Sequence, residues 1–266
     1  MTIAAIDFGR LYRDHLAAAG RQPKPASAWD ARVHELDRKS PRSGYADGFI
    51  ARMDLSGCDT LLDVGCGPGA ICLPLAPRLR QVHALDYSRA MLDALQASAA
   101  SRGLDNVRTL HMAWEDDWAP VPECDVVVAS RSTQVEDMAA ALAKLHAKAR
   151  RRVYLTHRIG GHAVAEEIVQ ALGRHPLPPP DYIYILNILH GMGIHARVDH
   201  LRSDAPPVRV DGGFDGLLRR TEWALGALDE GERVRLRDWY GNADDELRHA
   251  RPPRHWAFIS WEKAAG

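Results

Sequence analysis

The sequence predicts an α/β fold, a doubly wound and mostly parallel seven-stranded sheet with an N-terminal helical segment and C-terminal helical insertions. Three observations carry that expectation. Short β-branched runs alternate with amphipathic stretches from about residue 57 to residue 160. One run, Thr60-Leu-Leu-Asp-Val64, breaks into Gly65-Cys-Gly-Pro-Gly69 and then into a helical pattern, the order of a first βαβ unit. A chain of 266 residues is long enough for one large core with additions, and short for two full domains.

Residues 1–56 do not alternate strand and helix. Phe8, Leu11, Tyr12, His15 and Leu16 suit one short amphipathic helix, and Trp29, Val33 and Leu36 another, with breaks at Pro23, Pro25 and Ser40-Pro-Arg-Ser-Gly44. Residues 57–266 then hold the sheet. Strands are expected at about 59–64, 81–86, 107–113, 125–129 and 153–157. A helix starting near Gly69 tolerates Pro74 only because its first N–H groups lack partners anyway. Ser88 is the expected N-cap of a helix through Met91, Leu92 and Leu95 to Gly103. Val135, Met138, Leu142, Leu145 and Ala149 share one face of the helix after the fourth strand. After Gly160-Gly161 a helix runs to about Leu172, and the prolines from Pro176 to Pro180 force extended chain. Asp181 caps a helix from Tyr182 that Gly191 and Gly193 stop. Strand six falls at 195–202, two helices at 212–240, and a last strand at His255–Trp261. The helical insertions therefore occupy about 174–194 and 206–250.

Composition narrows the partners. With 34 basic and 35 acidic residues no global field points to nucleic acid or to an anionic membrane. The densest basic run, Arg150-Arg151-Arg152, reads as a solvated helix C-terminus. Cys58, Cys66, Cys72 and Cys124 form no CxxC pair and no zinc spacing, so no metal is expected and the thiols read as buried and reduced. No charged-then-apolar leader and no bilayer-length apolar run is present, which places the chain in the cytoplasm. Oligomeric state leaves no mark on the sequence.

The most specific stretch is Asp63-Val-Gly65-Cys-Gly67-Pro-Gly69, followed by a second apolar run ending in Asp86. The glycines let the backbone turn sharply and approach a ligand closely, and Pro68 stiffens the loop. A nicotinamide dinucleotide is the rival ligand, because Gly65-x-Gly67-x-x-Ala70 meets a relaxed form of that fingerprint. Asp63 argues against it: a carboxylate beside the turn suits an ammonium and a sulfonium but repels a pyrophosphate. Gly69 also opens the loop one residue before the dinucleotide pattern wants its third small residue. The stretch resembles the first motif of the class I S-adenosylmethionine-dependent methyltransferases, D-x-G-x-G-x-G. That resemblance covers about residues 57–160 well and the last strands loosely. It implies S-adenosylmethionine as cofactor, Asp63 holding the methionine ammonium, Asp86 accepting from the ribose hydroxyls, and a last strand antiparallel to the rest. It also implies that Cys66, Tyr87, Met91 and Ser130 border the cofactor, and that residues 1–56 resemble the N-terminal helices that cap it. At Trp114-Glu115-Asp116 the resemblance implies an acid accepting from the adenine amine. Glu115 and Asp116 both fit, and Trp114 could stack on the ring.

The acceptor leaves a weaker trace. Ser130-Arg131-Ser132 closes strand four, where ligands gather in open α/β sheets, and Arg131 could bind a carboxylate or phosphate bidentately or simply brace the acidic loop. His157, ending strand five, is a candidate general base, or a hydrogen-bonded loop residue. Trp29, Tyr45, Tyr182, Asn187 and His190 are the remaining candidates for the acceptor pocket. No Asn/Asp-Pro-Pro-Tyr/Phe, no Pro-Cys and no catechol-type metal signature follows strand four. The expected activity is therefore methyl transfer to a small-molecule acceptor, with Arg131 pointing to an anionic one. A methyltransferase acting on RNA or protein, or a non-catalytic S-adenosylmethionine-binding protein, are the alternatives.

Overall fold

The computed structural model describes residues 2–20, 24–33, 44–161, 164–203, 212–249 and 254–263. Its strands are β1 (Thr60–Val64), β2 (Gln81–Asp86), β3 (Val107–His111), β4 (Cys124–Ser130), β5 (Ala149–Arg158), β6 (Arg197–Ser203) and β7 (Arg254–Glu262). They form one sheet in the order β3-β2-β1-β4-β5-β7-β6. β1 pairs in parallel with β2 on one side and β4 on the other, and β7 runs antiparallel to both β5 and β6. The strand order reverses at β1, so a crevice opens between the carboxyl ends of β1 and β4.

The helices are α1 (Phe8–Ala18), α2 (Ala26–Asp30), α3 (Gly44–Ile50), α4 (Cys72–Leu75), α5 (Arg89–Ser101), α6 (Met138–Lys148), α7 (Glu166–Ala171), α8 (Tyr182–Gly191), α9 (Gly213–Leu225), α10 (Glu230–Asn242) and α11 (Asp245–His249). Alternation along the strands divides them between two faces. Leu62, Val64, Val127, Val153 and Ile259 pack with Met138, Leu142 and Leu145 of α6, Ile185 and Leu189 of α8, and Tyr12 of α1. Leu61, Val82, Val126, Val128 and Phe258 pack on the opposite face with α3, α4 and α5. Each fully buried leucine or valine here contributes about 1.5–3 kcal/mol of transfer free energy. β1 and β4 are covered on both faces, which is why they read as unbroken apolar runs.

A third apolar cluster stands apart. Ile168 and Val169 of α7 meet Leu217 and Ala224 of α9 and Leu236 of α10. Arg174 locks this helical group: its Nε lies 2.5 Å from Glu232 Oε1 and its Nη2 lies 2.7 Å from Oε2. The same guanidinium donates to the Leu225 and Ala227 carbonyl oxygens. Asp229 and Glu232 close a capping box at the start of α10.

Several expectations need correction. The Arg150–Arg152 run lies inside β5 and not at a helix end. Arg152 instead bridges Asp54 at 2.9 Å and Glu262 at 3.7 Å. The helix assigned from Val135 starts at Met138, because Asp137 caps it by accepting from the Ala140 amide. Val135 and Ala149 are buried on either side of it, Ala149 as the first residue of β5. Leu11 is exposed, so the buried face of α1 rests on Tyr12. Asp181 occupies the N-cap position of α8, yet its carboxylate accepts from the Gly160 amide and caps nothing. Leu36 lies outside the described residues. Among the described residues no helix is long and apolar enough to cross a membrane.

The Arg174–Glu232 pair sets a measurable term. Its bidentate hydrogen bonds from Arg174 hold the Glu232 carboxyl down to about 2. A depressed carboxyl contributes stability above its unfolded range, and that contribution fades as pH falls from the usual carboxylate range toward 2. Arg174→Ala should cost about 1–3 kcal/mol at pH 7, and less at pH 3. Urea unfolding at the two pH values checks this; equal midpoints at pH 7 would show that the pair contributes nothing.

Candidate active site

The site is built where β1 ends. Asp63 is the penultimate residue of the strand, and beyond Val64 the chain turns through Gly65 and Gly67 with φ of 66° and 53°. The Gly65 and Cys66 amides both donate to the Leu85 carbonyl oxygen, at 2.7 and 3.1 Å, which ties the turn to β2. Ser132, just past β4, donates from Oγ to the Val64 carbonyl oxygen at 2.7 Å. A Cβ on Gly65 would stand 2.3 Å from the Ser132 Cβ, so only glycine fits there. A Cβ on Gly67 would meet nothing within 4 Å: this glycine faces open space.

Two carboxylates flank the turn. Asp63 is 1% exposed, and its Oδ2 has no hydrogen-bond partner. Burial pushes its carboxyl up to about 7, with a further lift from Asp86. Asp86 accepts from the Gly67 amide through Oδ2 at 2.8 Å and from the Ser88 amide through Oδ1 at 2.9 Å. Burial raises its carboxyl too, against the pull of those amides. Its carboxylate keeps some acceptor capacity after those bonds. Cys66 is buried within the turn, and burial keeps its thiol protonated. Pro68 is half-buried at the turn's tip. Ser88 Oγ accepts from the amide of Met91, which is buried in the first turn of α5.

α2 lies against this end of α5. Asp30 accepts from Ser88 Oγ at 2.5 Å, and the Tyr87 hydroxyl donates to the Lys24 carbonyl oxygen at 2.7 Å. Trp29 packs edge-on against Trp223 of α9, 5.1 Å between ring centres, with the Arg32 guanidinium 4.2 Å from the Trp223 ring. Beyond β3, Trp114 donates from Nε1 to the Ser132 carbonyl oxygen at 3.2 Å and stacks on Trp118. Asp116 accepts from the Ala113 amide, whereas Glu115 is exposed.

The ends of β4 and β5 form a second group. The Tyr45 hydroxyl lies 2.9 Å from Ser130 Oγ and 2.6 Å from Thr156 Oγ1. The Arg131 amide donates to Thr156 Oγ1 at 3.0 Å, and its guanidinium sits over the Tyr45 ring at 4.3 Å. Arg131 has φ of 58°, a left-handed backbone that costs a non-glycine residue on the order of 1–3 kcal/mol.

Other candidates are not brought there. His157 is buried, with Nε2 donating to the Pro180 carbonyl oxygen at 3.1 Å and Nδ1 2.9 Å from Thr133 Oγ1. Burial lowers its pKa and both nitrogens are engaged, so it has no free lone pair for a general base. Asn187 donates to the Ile183 carbonyl oxygen of its own helix, and exposed His190 packs beside His195. Tyr182 lies edge-on to His200 of β6. Trp29 stands at the β2 side with Trp223, away from the Arg131 group. Tyr45 is 3% exposed and props Arg131 instead of offering a free hydroxyl. Sequence reasoning missed Asp30, Ser132, Thr156 and Trp223, whose roles arise only from partners distant in the chain.

Residues 61–151 match the family described as "Methyltransferase domain". An uncharacterized protein of Haemophilus influenzae is 35% identical over 98% of both chains. Aklanonic acid methyltransferase DauC of Streptomyces sp. (strain C5) is 28% identical over 67% of this chain and 76% of its own. Shorter matches, covering less than half of the chain, fall on tRNA methyltransferases. Coclaurine N-methyltransferase, solved with N-methylheliamine and S-adenosylhomocysteine, shares the fold at a TM-score of 0.52, with 13% identity over 98% of this chain and 96% of that one.

The residues at the turn fit S-adenosylmethionine. The orphaned Asp63 oxygen suits an ammonium, the open side of Gly67 leaves room for backbone approach, and Asp86 retains acceptor capacity for hydroxyls. An ammonium bound by Asp63 favours its ionised form. Affinity for S-adenosylhomocysteine should therefore rise with pH up to about 7, by as much as tenfold per unit, and level off above. Calorimetry between pH 5.5 and 7.5 reads this directly. An affinity flat across that range would remove Asp63 from the ammonium. Asp86→Ala should weaken the same binding at least tenfold, since it removes a charged acceptor and frees the Gly67 amide.

Proposed function

Because the chain belongs to the class I S-adenosylmethionine-dependent methyltransferases, we propose that its acceptor is a small molecule carrying a carboxylate or phosphate. The observation that carries this reading is Arg131. Its guanidinium stands at the carboxyl edge of β4, and among the described residues no carboxylate forms an ion pair with it. A fixed cation beside a cationic cofactor calls for an anion, and the acceptor is the group that can bring one.

When bound, the cofactor supplies an electrophilic methyl on its sulfonium. The chain's residues bind, orient and exclude water. Asp63 takes the methionine ammonium and Asp86 the ribose hydroxyls. The adenine amine is met by an acid of the exposed Glu115–Asp116 pair, Asp116 keeping its Oδ1 after Oδ2 accepts from the Ala113 amide. α2 and α9, joined through Trp29 and Trp223, form the lid on the ribose side, and α3 closes the acceptor side through Tyr45. With His157 engaged at both nitrogens, the acceptor atom is one that needs no protein base, such as an ionised carboxylate or thiol. Alignment of acceptor, methyl and sulfur then supplies most of the rate.

A transfer assay with radiolabelled S-adenosylmethionine and separated cell fractions tests the acceptor class. Label should appear in acidic small molecules; label confined to RNA or protein would overturn the reading, and absence of transfer to any fraction would favour a binding protein. Arg131→Ala should lower kcat/KM for the accepted acid by about 10- to 150-fold, the value of one charge-assisted bidentate contact, with cofactor affinity nearly intact.

A further inference from the structure

We propose that Tyr45 is the positioning residue for the acceptor's oxyanion: its buried ring fixes the Arg131 guanidinium so that the N–H edge is ready for one carboxylate or phosphate group. The inference rests on the reading of Arg131 as the anion anchor.

The geometry supports it at three points. Among the described residues Arg131 is the only non-glycine with positive φ, so its placement is imposed by its surroundings. Its amide is held by Thr156 Oγ1 at 3.0 Å and its guanidinium by the Tyr45 ring at 4.3 Å. Tyr45 itself cannot shift. Its hydroxyl bridges Ser130 Oγ and Thr156 Oγ1, the two strand ends that flank Arg131, and its ring is wedged against Trp256 at 5.7 Å and Phe49 at 6.3 Å. The ring is therefore the fixed partner and the arginine conforms to it.

An aromatic support also suits an anion site better than an acidic one. A carboxylate would neutralise the guanidinium and compete with the ligand, whereas a ring face steadies the cation and leaves its charge and its fork of donors free. Holding the side chain in place beforehand lowers the ordering cost when the anion arrives. The hydroxyl is not a base: it is shared with two other hydroxyls, and burial raises its pKa.

The test uses the full chain loaded with S-adenosylhomocysteine and labelled at arginine nitrogen. The Arg131 Nε–Hε resonance, assigned by its loss in Arg131→Lys, is followed during titration with acetate and, separately, with inorganic phosphate. In the wild type it should carry a ring-current shift and respond to at least one anion, and which anion works identifies the oxyanion class. Tyr45→Phe should keep both the shift and the midpoint. Tyr45→Met should lose the shift and raise the midpoint at least fivefold with S-adenosylhomocysteine affinity unchanged. Thr156→Val, which removes at constant shape the hydroxyl shared by Tyr45 and Arg131, should raise the midpoint by an intermediate factor. An unchanged midpoint in Tyr45→Met overturns the positioning role alone, as does loss of response in Tyr45→Phe, and if Tyr45→Met does not fold, an unchanged midpoint in Tyr45→Leu does the same. No response of the wild type to either anion sinks the anion-anchor reading, and the positioning role with it.

Discussion

The tightest constraint on any described glycine is the approach of Gly65 to Ser132, where an added Cβ would stand 2.3 Å from the Ser132 Cβ. The turn after β1 must come within reach of the segment after β4, because Ser132 bonds the last carbonyl of β1 while the Gly65 and Cys66 amides bond β2. Three strand ends are thereby laced into one knot of backbone and hydroxyl hydrogen bonds. A methyl group on Gly65 would lift the turn off Ser132. Asp63, Asp86 and the start of the Arg131 segment take their mutual placement from this knot.

The two buried carboxylates pull the other way. Asp63 has an oxygen without a partner in a water-poor setting, and Asp86 sits close enough to raise it further. Such a group weakens the fold whenever it is ionised and alone. Its raised pKa means that the folded chain holds a proton there that the unfolded chain releases, so the ligand-free fold loses stability as pH rises toward 7. A cation bound beside Asp63 would reverse that sign, turning a destabilising carboxylate into a partnered one.

What the sequence made legible is what local chemistry dictates. The bounds of β2, the Ser88 cap and the glycine turn depend on neighbours a few residues away, and each is found as expected. The family and its cofactor followed from that turn. Several misreadings trace to partners remote in the chain, whereas the start of α6 was set by the local Asp137 cap. Arg152 is a strand residue because Asp54 and Glu262 wait for it, about a hundred residues before and after. Of the two readings open for His157, general base or hydrogen-bonded residue, the structure fits the second, and its partner is remote: the chain returns at Pro180, whose carbonyl oxygen accepts from Nε2. Tyr45 was legible as an aromatic near the site, but its hydroxyl partners lie 85 and 111 residues further on. No residue-type rule predicts a left-handed arginine, and Arg131 adopts that backbone only because Thr156 and Tyr45 hold it.

The helical cluster of α7, α9 and α10 has a core of its own, closed by the Arg174–Glu232 pair rather than by the sheet. A unit that satisfies its own apolar surface and its own charges can drift in sequence without disturbing the strands beneath. The architecture is modular: a small helical unit closes its own core, and the sheet with its flanking helices closes another.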